Sequence, residues 1–215
     1  ELERISQKEN FWKDKNLVKK TVKQKKIFED ILNSYNKIKL VPFGEFLPFE
    51  NVLGKIGLRS LTNNYQSFSS GDQRNIIKLT QQSFSLKILP LICYEIIYSG
   101  KLFKNSNFDL IINISEDGWF GQSIGPKQHF VHSVFRAIES GKYVLRSANN
   151  GTAAIINPIG VIEQRVNFGQ SGYIDLNSYK DIQPTLFSKY GNKIFGILIL
   201  LYIFLIFSFN RFKNE

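Results

Sequence analysis

Cys93 stands in the string Leu89-Pro90-Leu91-Ile92-Cys93-Tyr94-Glu95, at the end of an apolar run. A thiolate is a strong nucleophile, and a cysteine where a strand turns is presented to a cleft. Cysteine is equally a common small buried hydrophobe, so the residue alone leaves both readings open. Lys37 and Lys39 alternate with apolar neighbours in the run from Lys37 to Val41, which leads through Pro42-Phe43-Gly44 to Glu45. An ammonium near a cysteine would stabilise the thiolate, and also the oxyanion formed when a carbonyl is attacked. Two ordinary surface lysines would give the same pattern. A third cluster, Asn113-Ile114-Ser115-Glu116-Asp117-Gly118-Trp119-Phe120-Gly121, follows an apolar run, where α/β sheets commonly keep their sites. Trp119 and Phe120 suit the mouth of an apolar cleft or the lid of a core. His129 and His132 are spaced for one helix face, but no third ligand accompanies them. No metal and no organic cofactor is expected. Ser147-Ala148-Asn149-Asn150-Gly151 reads as a polar loop with turn chemistry.

The elements that must position these residues form an α/β pattern. Ile27–Val41 is expected to hold a strand or hairpin that ends at Pro42. Ser85–Ile92 reads as a strand running into Cys93, and Asp109–Ile114 as a short strand buried on both faces. His129–Lys142 has helical spacing, with Phe130, Val134, Ala137 and Ile138 on one side. Tyr143–Arg146 reads as another strand. Thr152–Ile156 and Val161–Val166 flank the turn signal Asn157-Pro158-Ile159-Gly160 and read as a hairpin. Gly172–Leu176 is the last expected strand.

The chain has 215 residues, 43% hydrophobic and 21% charged, enough for one sizeable core and incompatible with a wholly disordered chain. Its net charge is +10, but no arginine stripe interleaved with aromatics appears, so nucleic acid is not an expected partner. Residues 1–26 form a polar, basic lead-in and residues 27–190 the expected α/β unit. Ile194–Phe209 is a run of 16 residues without a charge, between Lys193 and Arg211. With snorkelling by those two ends it reads as a C-terminal transmembrane helix over 193–210. The positive-inside rule puts Arg211 and Lys213 in the cytoplasm and the rest of the chain on the outer side.

The ordered set of strings resembles the nitrilase superfamily, and within it the C-terminal part of the bacterial apolipoprotein N-acyltransferases. The matching strings are Tyr35 to Glu45, Ile92-Cys93-Tyr94-Glu95, Trp119-Phe120-Gly121, Gly125 to Phe130, and Arg146 to Gly151. The resemblance implies a four-layer α-β-β-α sandwich, incomplete at its N-terminal side here, and a Glu-Lys-Cys site. It makes Cys93 the nucleophile, Lys37 the catalytic lysine and Glu45 a supporting glutamate. Tyr94 and Glu95 become the supporting neighbours of the nucleophile, and Trp119 an aromatic near the mouth. The implied reaction moves a fatty acyl chain from a phospholipid, through a Cys93 thioester, to the α-amino group of an apolipoprotein's lipid-modified N-terminal cysteine. It implies a monomer in the bacterial inner membrane, with the catalytic unit on the periplasmic side. An inactive membrane-anchored lipid-binding homologue and a nitrilase-type amidase are the alternatives.

Two departures stand out. The general-base glutamate of a Trp-Pro-Glu-like strand end has no counterpart here: nothing around Glu1, Glu3 or Glu9 matches it. The expectation is therefore a fragment of a longer protein that carries that glutamate and several membrane spans upstream. Glu116-Asp117-Gly118 stands where the family more usually has Asn-Asp-Ala.

Overall fold

The apolar stretch Ile88–Ile92 that ends the run from Ser85 calls for cover on both faces, and it lies inside a sheet with Ile88 to Leu91 buried. The computed structural model describes residues 34–49, 52, 68–80, 85–100 and 107–213. Six strands form one mixed sheet in sequential order: β1 (Ile77–Thr80), β2 (Ser85–Ile92), β3 (Leu110–Glu116), β4 (Tyr143–Asn149), β5 (Ala153–Ile156) and β6 (Ile162–Val166). β2, β3 and β4 run parallel to one another, while β1–β2, β4–β5 and β5–β6 pair antiparallel. The C-terminal ends of the three parallel strands therefore point the same way, and Cys93 and Glu116 lie there.

Strand periodicity divides the core in two. Leu89, Leu91, Ile111, Val144, Ala154 and Ile156 belong to one cluster, and Ile88, Leu110, Tyr143 and Ile155 to the other. Neighbours in sequence thus fall on opposite faces. The first face is covered by helix α1 (Gly125–Ser140) through Phe130, Val134 and Ala137. Pro126 occupies the first turn of α1, where its missing N–H costs nothing. Gly141 ends the helix at φ 66° and donates its N–H to Ala137 O. A Cβ on Gly141 would collide with the Ile182 carbonyl oxygen, so two constraints ask for glycine there. The second face is covered in part by Ile174 and Leu176, while Ile114 remains 60% exposed.

Several expected elements shift. The helix starts at Gly125 rather than His129, and Ile138 is partly exposed over the β5–β6 turn rather than facing the sheet. β1 was not expected at all. Residues 34–41 form no strand, and the rest of that expected strand, 27–33, lies outside the described residues, as does the lead-in 1–26. Residues 172–176 pack on the sheet without pairing to it.

After the sheet the chain passes to helix α2 (Leu186–Tyr190) and helix α3 (Lys193–Lys213). Glu139 fastens this passage. Its carboxylate accepts from Ser99 Oγ at 3.1 Å and Gly100 N–H at 2.6 Å, and its carbonyl oxygen accepts from Thr185 N–H and Oγ1, each at 3.1 Å. Gly100 and Gly191 pack so closely that a Cβ on Gly100 would lie 3.1 Å from Gly191 Cα. From Phe195 to Phe209 almost every large apolar side chain of α3 is exposed. Among the described residues no helix is long and apolar enough to cross a membrane. The uncharged run of 16 residues rises about 24 Å, against a hydrocarbon core of about 30 Å.

Candidate active site

The end of β2 turns abruptly into a 3-10 turn, Cys93–Ile97, and Cys93 makes the turn at φ 49°. A non-glycine residue there is strained by about 1–3 kcal/mol. The geometry lifts Cys93 into a cavity of about 130 Å³, lined by Val41, Gly44, Glu45, Cys93, Tyr94, Glu116, Trp119 and Phe120. Trp119 is 67% exposed at its rim.

Glu45 reaches this cavity from a tight turn in which its own N–H donates to Val41 O at 2.8 Å. Its carboxylate accepts from Val41 N–H at 2.8 Å and from Lys37 Nζ at 2.6 and 2.7 Å. Lys37 therefore stands behind Glu45. An ammonium has three donors, and among the described residues only these two bonds engage it. Lys39, expected on the same strand face as Lys37, instead has its Nζ 5.9 Å from the centroid of the Tyr98 ring.

Glu95 points away from the cavity and is wholly buried. Its Oε2 accepts from Ile92 N–H at 2.8 Å, and its Oε1 from Ile38 N–H at 3.0 Å and Lys39 N–H at 3.1 Å. Tyr35 Oη donates to it at 2.8 Å, and Arg74 Nη2 pairs with it at 3.3 Å. Burial and the Glu95 carboxylate push the Tyr35 phenol well above its ordinary value. One carboxylate thus joins the segment carrying Lys37 to the turn carrying Cys93.

Beneath the cysteine lies a polar network that the sequence reading did not assign. His129 is buried on α1. Its Nε2 donates to the Cys93 carbonyl oxygen at 3.2 Å, and its Nδ1 lies 2.9 Å from Asp117 Oδ1. Arg146 Nη2 donates to both Asp117 oxygens at 2.8 and 2.7 Å, and its Nη1 donates to Asn113 Oδ1. Asn113 Nδ2 donates in turn to Leu91 O at 3.0 Å. His132, three residues from His129, faces a different groove beside Phe135 and Phe187. The signal for the network was Asn113 and Arg146, each directly after three apolar or aromatic residues that open its strand: polar side chains buried there must be paired.

Burial works to raise the Asp117 carboxyl, but the His129 hydrogen bond and the Arg146 guanidinium outweigh it and hold the group below the usual carboxylate range. Its folded-state value lies below the unfolded one, about 3.9. The stability this gives is complete above that value and is lost as pH falls through the folded value. Circular-dichroism melting is expected to show a Tm that drops on acidification below about pH 4. Asp117→Asn is expected to melt lower at neutral pH, because Arg146 stays buried and unpaired, and to have a flatter acid limb. Identical acid limbs would refute this assignment.

The model of the carbon-nitrogen hydrolase family matches residues 15–183, and the chain belongs to that family. Its curated relatives carry a narrower name. It is 38% identical over 177 residues to an apolipoprotein N-acyltransferase of Rhodopseudomonas palustris, covering 82% of this chain and 32% of that protein. It is 41% identical over 184 residues to one of Rickettsia prowazekii, covering 84% and 34%. The chain thus spans about a third of the length of these relatives. Among solved structures, an amidase from Nesterenkonia sp. aligns at 17% identity over 64% of this chain and 46% of that chain, with a TM-score of 0.41.

Proposed function

We propose that the chain is the catalytic portion of an N-acyltransferase that completes bacterial lipoproteins. The observation carrying this reading is the apolar cavity shared by Cys93 and Glu45, with Lys37 bonded behind it. The names of the relatives support it. The Cys93 thiolate attacks an ester carbonyl of a phospholipid, with the third N–H of Lys37 stabilising the oxyanion. The C–S bond forms, the C–O bond breaks, and the lysophospholipid leaves with the proton that a general-base carboxylate took from the thiol. The α-amino group of the acceptor's diacylglyceryl-modified cysteine then attacks the thioester. The C–N bond forms, the C–S bond breaks, and the amine's proton goes to the same base. Glu45 holds Lys37, Glu95 holds the two segments together, Tyr94 lines the cavity, and Trp119 meets the acyl chain at the rim.

The half-covered second face of the sheet, with Ile114 exposed, supports a second sheet packed there in a four-layer α-β-β-α sandwich. On this reading residues 1–26 are a lead-in, 27–190 the catalytic unit and 193–210 a membrane span. The apolar side chains exposed around α3 and the flanking Lys193 and Arg211 support the span. The working form is a monomer in the inner membrane, with the catalytic unit on the periplasmic side and both substrates in the bilayer. Mass spectrometry of the intact protein, with the upstream segments that carry the general base, is expected to find one acyl group on Cys93 after incubation with phospholipid vesicles, discharged by a diacylglyceryl peptide. A protein that stays unmodified while its thiol remains reactive overturns the reading.

A further inference from the structure

Glu116 is the second carboxylate lining the cavity with Cys93. The charge of Glu45 is met by Lys37, whereas Glu116 forms no ion pair with a lysine or arginine among the described residues. Its Oε1 accepts from Gly118 N–H at 2.7 Å, and its Oε2 from Asn149 Nδ2. Both donors are neutral, so they fix the carboxylate without compensating its charge. A Cβ at position 118 would lie 2.5 Å from Glu116 Oε1. The glycine two residues on is thus a condition of this side-chain conformation, and the glutamate is built into its place. The other walls, Val41, Gly44, Tyr94, Trp119 and Phe120, are apolar or aromatic. A fixed anion among aromatic faces is a donor set for a cation.

We propose that Glu116 binds the primary ammonium of the acyl acceptor beside Cys93. The identity of that acceptor rests on the function proposed above. An ethanolamine headgroup on the donor lipid offers the same ammonium chemistry. There, however, the glyceryl and phosphate groups hold the ammonium many bonds away from the ester carbonyl that Cys93 attacks, so an anion beside the sulfur would not meet it. The acceptor's nitrogen is itself the atom that must reach the thioester carbon: held first as the ammonium beside the sulfur, it gives one proton to solvent and attacks as the neutral amine.

Cys93 is the chain's single cysteine, so alkylation of the full chain reads this position without any lipid chemistry. The probes are 2-bromoethylamine, a primary ammonium, and neutral iodoacetamide. The ratio of their rates cancels any change in thiol reactivity. Glu116→Gln is expected to lower the ammonium-to-neutral ratio about fivefold, the effect of one partly screened charge pair. Its amide oxygen keeps the Gly118 bond, and the Asn149 amide can reverse to face its NH2. Gly118→Ala, which keeps the charge but displaces the carboxylate, is expected to lower the ratio as well. An unchanged ratio in Glu116→Gln overturns the proposal. A second arm separates the two sources of ammonium. In Glu116→Gln, adduct formation from phosphatidylethanolamine relative to phosphatidylglycerol should match the native chain, while discharge by a primary amine slows. A defect confined to phosphatidylethanolamine overturns the acceptor assignment. If neither lipid acylates the intact protein, the function above fails, and the alkylation ratio still decides whether Glu116 is an ammonium site.

Discussion

Cys93→Ala is expected to abolish the acyl adduct and reduce transfer by at least about 10³-fold, because the thioester needs a thiol and Cys93 is the chain's single cysteine. Folding is expected to survive. Alanine has the same Cβ at the same left-handed φ of 49°, so the strain stays and Tm moves little. Cys93→Gly sharpens the test. It loses the nucleophile too, but glycine adopts that φ without cost, so the variant is expected to gain about 1 kcal/mol over Cys93→Ala. Adduct formation by mass spectrometry and melting by circular dichroism check both halves. Residual acylation of the alanine variant, or a glycine variant that melts below it, would show that the turn at Cys93 is not the strained seat of a nucleophile.

Glu95→Ala is expected to cost about 3–5 kcal/mol, a large part of the 5–15 kcal/mol that holds an ordinary domain together. The substitution strands the N–H groups of Ile92, Ile38 and Lys39 and the hydroxyl of Tyr35, and leaves Arg74 without its partner. Urea unfolding is expected to give a correspondingly lower midpoint, and the segment carrying Lys37 loses its tie to the cysteine turn. Glu95→Gln keeps the shape but replaces one acceptor oxygen with a donor, so an N–H must face an N–H in either amide orientation. It is expected to fall between the native chain and Glu95→Ala. A Glu95→Ala chain as stable as the native one would refute the role given to this carboxylate.

Glu95 also explains where sequence reading stopped. β2, β3 and the β5–β6 hairpin were legible because their apolar runs and turn signals are local. The segment 34–41 was expected to be a strand from its alternation of lysine and apolar residues. Its N–H groups at Ile38 and Lys39 are instead satisfied by a side chain more than fifty positions away, a partner no local pattern announces. β1, four residues at the sheet edge, is too short to carry a periodic signal. At the site, the motifs named Cys93, Lys37, Glu45, Tyr94, Glu95 and Trp119, but they could not tell that Glu95 faces inward while Glu45 faces the cavity. The Asp117–His129–Arg146 network was missed because its members come from a 3-10 turn, a helix and a strand, and only folding brings them together.

The bonds that Glu139 makes to the turn after Cys93 and to Thr185 leave the catalytic turn and the root of α3 little slack between them. If α3 sits in a bilayer, the height of the sulfur above it is then a fixed dimension of the protein, like the arm of a gauge. A lipid ester at one depth would be reached and those above or below it passed over, so the choice of carbonyl becomes a matter of elevation as well as chemistry.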